Sequence, residues 1–200
     1  MAHLLPGAIS LKPYQQGDLS RLCGFYSIIN AMQLTLYPEP LSSPEVDRLF
    51  TKAIHHLHRK KLLSAACHYG IDEVPWLTLM REMVGQTAAV RSVSIRIATP
   101  LSTACSSRGR AIDAICRAVD RGSPVLVAFG GALDHYTVVC GHTDTRLRLF
   151  DSLGLRSVVK ESVGLGEGSR RRHQIAVEAI YALYRTADEQ TETGTQGSGP

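Results

Sequence analysis

Apolar positions in the first third of the chain recur at helical spacing. Phe25, Ile28, Ile29 and Met32 fall at i, i+3, i+4 and i+7, which predicts a helix starting at Cys23 with a buried face. Asp18 or Ser20 is placed to cap its start, and Pro38 and Pro40 end the stretch. The segment Ser42 to Glu45 reads as the opening of a second helix, with serine at the cap and Pro44 in the first turn. That helix continues through Val46, Leu49, Phe50, Ala53, Ile54 and Leu57. Asp72 to Pro75 opens a third, with Trp76, Leu79, Met80 and Met83 on one face and Gly85 just past its end. Ahead of all three, residues 1–17 read as an irregular lead-in punctuated by Pro6, Gly7, Pro13 and Gly17.

The period then changes. Val93, Ile95 and Ile97 alternate with Ser94 and Arg96, the pattern of a half-buried strand. Ala111 to Arg121 is helical again and stops at Gly122. After Pro124 the pattern predicts strands over 125–129, 135–140, 146–151, 155–160 and 177–184, with Gly130, Gly131, Gly141 and Gly154 marking turns. Helices followed by an antiparallel meander predict an α+β domain with the helices gathered on one side. One domain over residues 1–186 is expected, and 187–200, an acidic and polar stretch rich in Thr, Gln, Gly and Ser, reads as a disordered tail.

Composition fits this picture. The 200 residues are 44% apolar and 20% charged, as in an ordinary single-domain protein. No apolar run is long enough for a membrane helix, and the N-terminus lacks the basic and apolar regions of a secretory signal, so no membrane contact is expected, and either a cytoplasmic location or export by a route the sequence does not show. The net charge is +4. The basic runs His55–Lys61 and Ser169–His173 lack the stacking aromatics of a nucleic-acid groove and read as solvated surface, so no nucleic acid is expected. Within the first run His55, His56 and His58 cannot share one helix face and have no carboxylate beside them, which argues for surface and against metal. Cys23, Cys67, Cys105, Cys116 and Cys140 contain no Cys-x-x-Cys pair, so neither a zinc knuckle nor a dithiol redox motif is expected.

Cys23 stands apart from the other four. A thiol in the first turn of a helix faces the positive end of the helix dipole, which favours the thiolate. Gly24 after it leaves room for the backbone of a substrate. Later in the chain, strands 135–140 and 146–151 are joined by the loop Gly141 to Thr145. With that loop centred on Thr143, His135 falls opposite Asp151, the placement in which a carboxylate holds an imidazole in one tautomer. A one-residue bulge would put Ser152 or Phe150 there instead. His142, beside Asp144, is a rival base. Asn30 is expected to bond within the core or cap a neighbouring strand, and Trp76 to anchor the core.

A nucleophile on an early helix, followed by a base and its orienter on a late hairpin, resembles the papain-like cysteine peptidases. The likeness is greatest to their compact bacterial branch, which processes double-glycine leader peptides. It rests on residues 22–30 around Cys23, on 122–127, on Asp134 to Val139 around His135, and on Leu149 to Leu153 around Asp151. Leu22 and Cys23, Asn30 to Gln33 and the His135 hairpin are also similar to the Josephin deubiquitinases. The resemblance implies a papain-like fold, with the nucleophile helix packed on a C-terminal antiparallel sheet, and a peptide or protein substrate cut at a peptide or isopeptide bond. It further implies Cys23 as nucleophile, His135 as general base and acid, and Asp151 as orienter, with no metal or organic cofactor. An acyltransferase of the transglutaminase kind, or a catalytically weak peptide binder, would use the same residues. The family places an oxyanion-hole glutamine five or six residues before the nucleophile. Here Gln16 and Gln15 stand seven and eight before it, so Gln16 fills the role if the loop at Gly17 to Ser20 carries the extra length.

Overall fold

Helix α2 (Cys23–Thr35) is apolar around most of its circumference, a pattern that suits a helix enclosed on all sides. In the computed structural model every one of its residues except Tyr26 is buried. The structure describes residues 2–17, 21–101, 107–166 and 168–186. Ile28, Ile29 and Met32 have no exposed surface, and each contributes about 1.5–3 kcal/mol by burial. The N-cap position is held by Leu22, with no side-chain cap. Asp18 and Ser20 lie outside the described residues, as do Cys105 and the tail.

Two longer helices flank α2. In α3 (Ser43–Arg59) the expected cap forms: the Ser42 backbone N–H and hydroxyl donate to Glu45 at 2.8 and 2.6 Å. Glu45 also accepts from Arg91 at the far end of α5 (Glu73–Arg91), tying the start of one helix to the end of the other. The bonds from Arg91 and Ser42 hold the Glu45 carboxyl at about 2, so this clamp is intact above its ordinary value of 4.5 and lost only as the pH falls towards 2. Gly85 does not end α5. The helix runs through it for another turn and a half and closes at Ser92, whose φ of 52° is left-handed. A short helix, α4 (Leu63–Tyr69), intervenes. The expected irregular lead-in contains β1 (His3–Leu4) and α1 (Pro6–Ser10), where Pro6 takes the first-turn position it favours.

The second half is the expected strand-rich region: β2 (Ser94–Ala98), α6 (Arg108–Asp120), β3 (Val125–Gly131), β4 (His135–His142), β5 (Arg146–Leu149), β6 (Ser157–Val159), β7 (Val163–Leu165) and β8 (His173–Thr186). Among the described residues this makes an α+β fold of six helices and an eight-stranded sheet, antiparallel except where β7 runs parallel to β8. The meander holds for β3 to β6 only. Strand β8 returns to insert between β2 and β3, giving the order β2-β8-β3-β4-β5-β6, and β1 pairs with the end of β4. Consecutive residues of β3 and β4 are buried, so both faces of the sheet centre are covered rather than one. Helices α2 and α6 contact these strands. No helix among the described residues is long and apolar enough to cross a membrane.

Candidate active site

Cys23 is the first residue of α2 and His135 the first of β4, and the contact between that helix and that strand brings them together. The Cys23 sulfur lies 3.8 Å from the Arg21 carbonyl oxygen and within hydrogen-bonding reach of the His135 imidazole. His135 Nε2–H donates to Asp151 Oδ2 at 2.7 Å, which leaves Nδ1 for the thiol. The second oxygen of Asp151 accepts the Leu153 and Leu155 backbone N–H groups at 2.8 and 3.1 Å, so the carboxylate is fixed from both sides. Both partners are buried, His135 to 5% and Asp151 to 1% exposure.

Burial by itself pushes the imidazole towards its neutral form. The Asp151 hydrogen bond, the Cys23 sulfur and the negative charge on both outweigh it and raise His135 from 6.5 to about 9. For Asp151, burial pushes up, but the His135 bond and charge, with smaller help from Thr137 and the Leu153 N–H, hold the carboxyl below its usual range. The arrangement therefore favours an imidazolium held against the Asp151 carboxylate.

The hairpin reaches this geometry by a register other than the expected one. Beside the loop, His142 pairs with Leu147, and after a bulge Val139 pairs with Leu149. The Phe150 N–H then donates to the Val138 carbonyl at 2.9 Å. Continued past the strand end, this register sets Asp151 beside Thr137, two places from His135. Because side chains alternate with period two, a slip of two keeps Asp151 on the His135 face, and the diagonal is short enough to span. Neither Phe150 nor Ser152 takes its place.

Gln16 joins the same cleft as Cys23 and His135, a space of about 1030 Å³. Its backbone N–H donates to the Ser152 carbonyl at 3.1 Å, and its Oε1 accepts from the Ser152 hydroxyl at 3.5 Å. Gln15 is exposed and does not line the cleft. The segment carrying Gln16 is held by Asn30, which is fully buried: its Oδ1 accepts the Tyr14 N–H at 2.7 Å and its Nδ2 donates to the Tyr14 carbonyl at 3.1 Å.

Two side chains do more than the sequence reading expected. Trp76 is a core anchor, and its indole N–H also donates to the Gly24 carbonyl at 2.9 Å, fixing the first turn of α2. Its ring packs on Tyr136, next to His135, with centroids 4.3 Å apart. A Cβ at Gly24 would meet this indole at 3.1 Å, so the glycine makes room for Trp76. His56 is buried and paired with Glu82 on α5, contrary to the surface placement expected. His142 bonds Asp120 at 2.8 Å and stacks on His3, and it does not line the cleft. No group of His, Cys, Asp and Glu among the described residues is arranged to hold a metal ion. Comparisons with protein-family models, with curated proteins and with solved structures find no match to this chain.

Proposed function

We propose that this chain is a cysteine-dependent hydrolase that cuts a peptide or isopeptide bond. The observation that carries the reading is the line Cys23–His135–Asp151, in which the imidazole bonds Asp151 at 2.7 Å and lies within reach of the Cys23 sulfur, opening on a cleft. Cys23 thiolate attacks the carbonyl carbon, forming a C–S bond and an oxyanion. The oxyanion is met by the Cys23 backbone N–H, which has no partner within the helix, and by the Gln16 amide. His135 gives its Nδ1 proton to the leaving amine as the C–N bond breaks. It then takes a proton from water, which attacks the thioester, releases the acid and regenerates the Cys23 thiolate beside a protonated His135. Asp151 keeps the imidazole turned so that Nδ1 faces the sulfur.

The first test is reactivity of the free thiols. Brief iodoacetamide treatment at neutral pH, followed by peptide mapping, is expected to modify Cys23 well ahead of Cys67, Cys105, Cys116 and Cys140. Burial pushes the Cys116 thiol up and the Cys140 thiol to about 12, which makes both poor nucleophiles. Equal labelling of several cysteines, or protection of Cys23, overturns the reading.

Gln16 has its own test. Gln16→Ala is expected to lower kcat by about 10²–10³-fold, the usual loss for one oxyanion donor, with Gln15→Ala near the native rate. The reverse pattern would assign the role to the other glutamine.

A further inference from the structure

Among the described residues seven large apolar side chains are exposed, and three of them line the one cleft that holds Cys23. Tyr69 and Val74, 85% and 77% exposed, stand at either end of the connection between α4 and α5, and Leu153, 51% exposed, stands beside Gln16 and His135. Large apolar groups left in water around a cleft mark a surface that something covers.

Charge is segregated there as well. The chain carries a net +4, yet the cleft is lined by Asp72, Glu73, Asp134 and Glu178 against one arginine, Arg21. Arg21 stands only 3.8 Å from Asp134, and both are largely exposed. Asp72 and Glu73 open α5, Asp134 precedes β4 and Glu178 lies on β8, so three elements bring carboxylates to the one cleft. Glu178 lines the cleft from the stretch of β8 between Ile175 and Ile180, where the register with β3 is irregular.

We propose that the cleft selects a polypeptide segment in which a cationic side chain adjoins an apolar one. The apolar side chain lies on Tyr69 and Val74, and the cation lies among the carboxylates of the same cleft. The inference rests on the hydrolase reading above and adds its substrate class. Continuity with the Cys23 cleft and the complementary charge name the occupant as substrate and not as a second copy of this chain, which is itself basic.

The test uses three tripeptidyl chloromethyl ketones that share a leucine and differ only in a neighbouring Lys, Gln or Glu. In each, the thiolate displaces chloride and forms a thioether, and the rate is read by intact-protein mass spectrometry. The lysine reagent is expected to react about tenfold faster than the glutamate one at low salt, and the gap to close in ~1 M salt as the Debye length shrinks. The double variant Asp134→Asn with Glu178→Gln is expected to narrow the ratio, and Tyr69→Ala with Val74→Ala to slow all three reagents alike. Equal rates for lysine and glutamate reagents, or a ratio unmoved by the charge variants, overturn the proposal. Iodoacetamide on the same sample separates the failures. If it still singles out Cys23, recognition alone is wrong; if it does not, the hydrolase reading falls too.

Discussion

Replacing His135 with alanine is expected to lower turnover by at least ~10⁴-fold, as loss of the base does in other nucleophile–base sites, and also to destabilise the fold. The second effect follows from burial. Viewed as a residue at a strand start, His135 looks half-exposed and dispensable for packing, but it is 5% exposed and its partner Asp151 1%. Alanine leaves Asp151 as a buried carboxylate without its imidazole partner, a loss of about 3–5 kcal/mol for a broken buried pair. The destabilisation should shrink in acid, where Asp151 protonates and no longer needs a cation. Urea denaturation at neutral pH and near pH 4 checks this, and a variant as stable as the native chain at neutral pH contradicts the buried pair.

The conservative partner change separates charge from space. Asp151→Asn keeps a hydrogen-bond acceptor but removes the negative charge that helps hold His135 at about 9. What remains is dominated by burial, which acts downward, so the imidazole becomes neutral at lower pH. The alkaline fall in kcat/KM, expected near pH 9 in the native protein where His135 loses the proton it gives the leaving amine, should move towards neutrality in this variant. The stability linked to His135 has the same sign: it is present in full below 6.5 and is lost as the pH rises through about 9. An unmoved alkaline limb would mean that Asp151 does not govern the imidazole.

Much of the fold was legible because burial imprints a period. Helices α2, α3 and α6 and strands β2 to β5 sit where their apolar positions recur. What escaped was governed by contacts outside each segment. Gly85 looked like a helix end, yet α5 continues through it because Met83, Val84 and Thr87 are buried there, and packing outweighs the roughly 1 kcal/mol that glycine costs a helix. The position of β8 between β2 and β3 is a long-range pairing that no local pattern specifies.

The site was legible in the same uneven way. The structure brings Cys23, His135, Asp151 and Gln16 together, although the register that joins two of them differs by two from the expected one. The error was harmless because strand side chains repeat every two residues; a slip of one would have put Asp151 on the other face. The second layer was not legible. That Asn30 holds Tyr14, and through it the segment of Gln16, depends on a separation of 16 residues between an amide and a backbone. His56 was judged by its own helix, where no carboxylate stands near, but its partner Glu82 comes from α5.

Trp76 is where the missed layer carries the largest expected effect on stability. Its side chain is fully buried, packs on Tyr136 and Tyr181, and bonds the Gly24 carbonyl 52 residues away in sequence. Trp76→Ala is expected to cost about 3–5 kcal/mol, a large share of the ~5–15 kcal/mol that holds a domain folded. That result alone would not separate a core anchor from a positioning residue. Trp76→Phe makes the separation, because it keeps most of the apolar volume and deletes the indole N–H, a change of about 1 kcal/mol. The Gly24 carbonyl retains the Ser27 hydroxyl at 2.8 Å, so the first turn of α2 stays formed but loses its tie to the α5 side of the cleft. Gly24→Ala perturbs the same contact from the other side, since its Cβ would press on the indole at 3.1 Å. Both variants should stay folded by circular dichroism, and both should show slower Cys23 alkylation with an altered pH profile, because the sulfur shifts against His135. If Trp76→Phe labels Cys23 at the native rate and with the native pH dependence, the indole N–H has no part in placing the nucleophile and Trp76 serves the core alone.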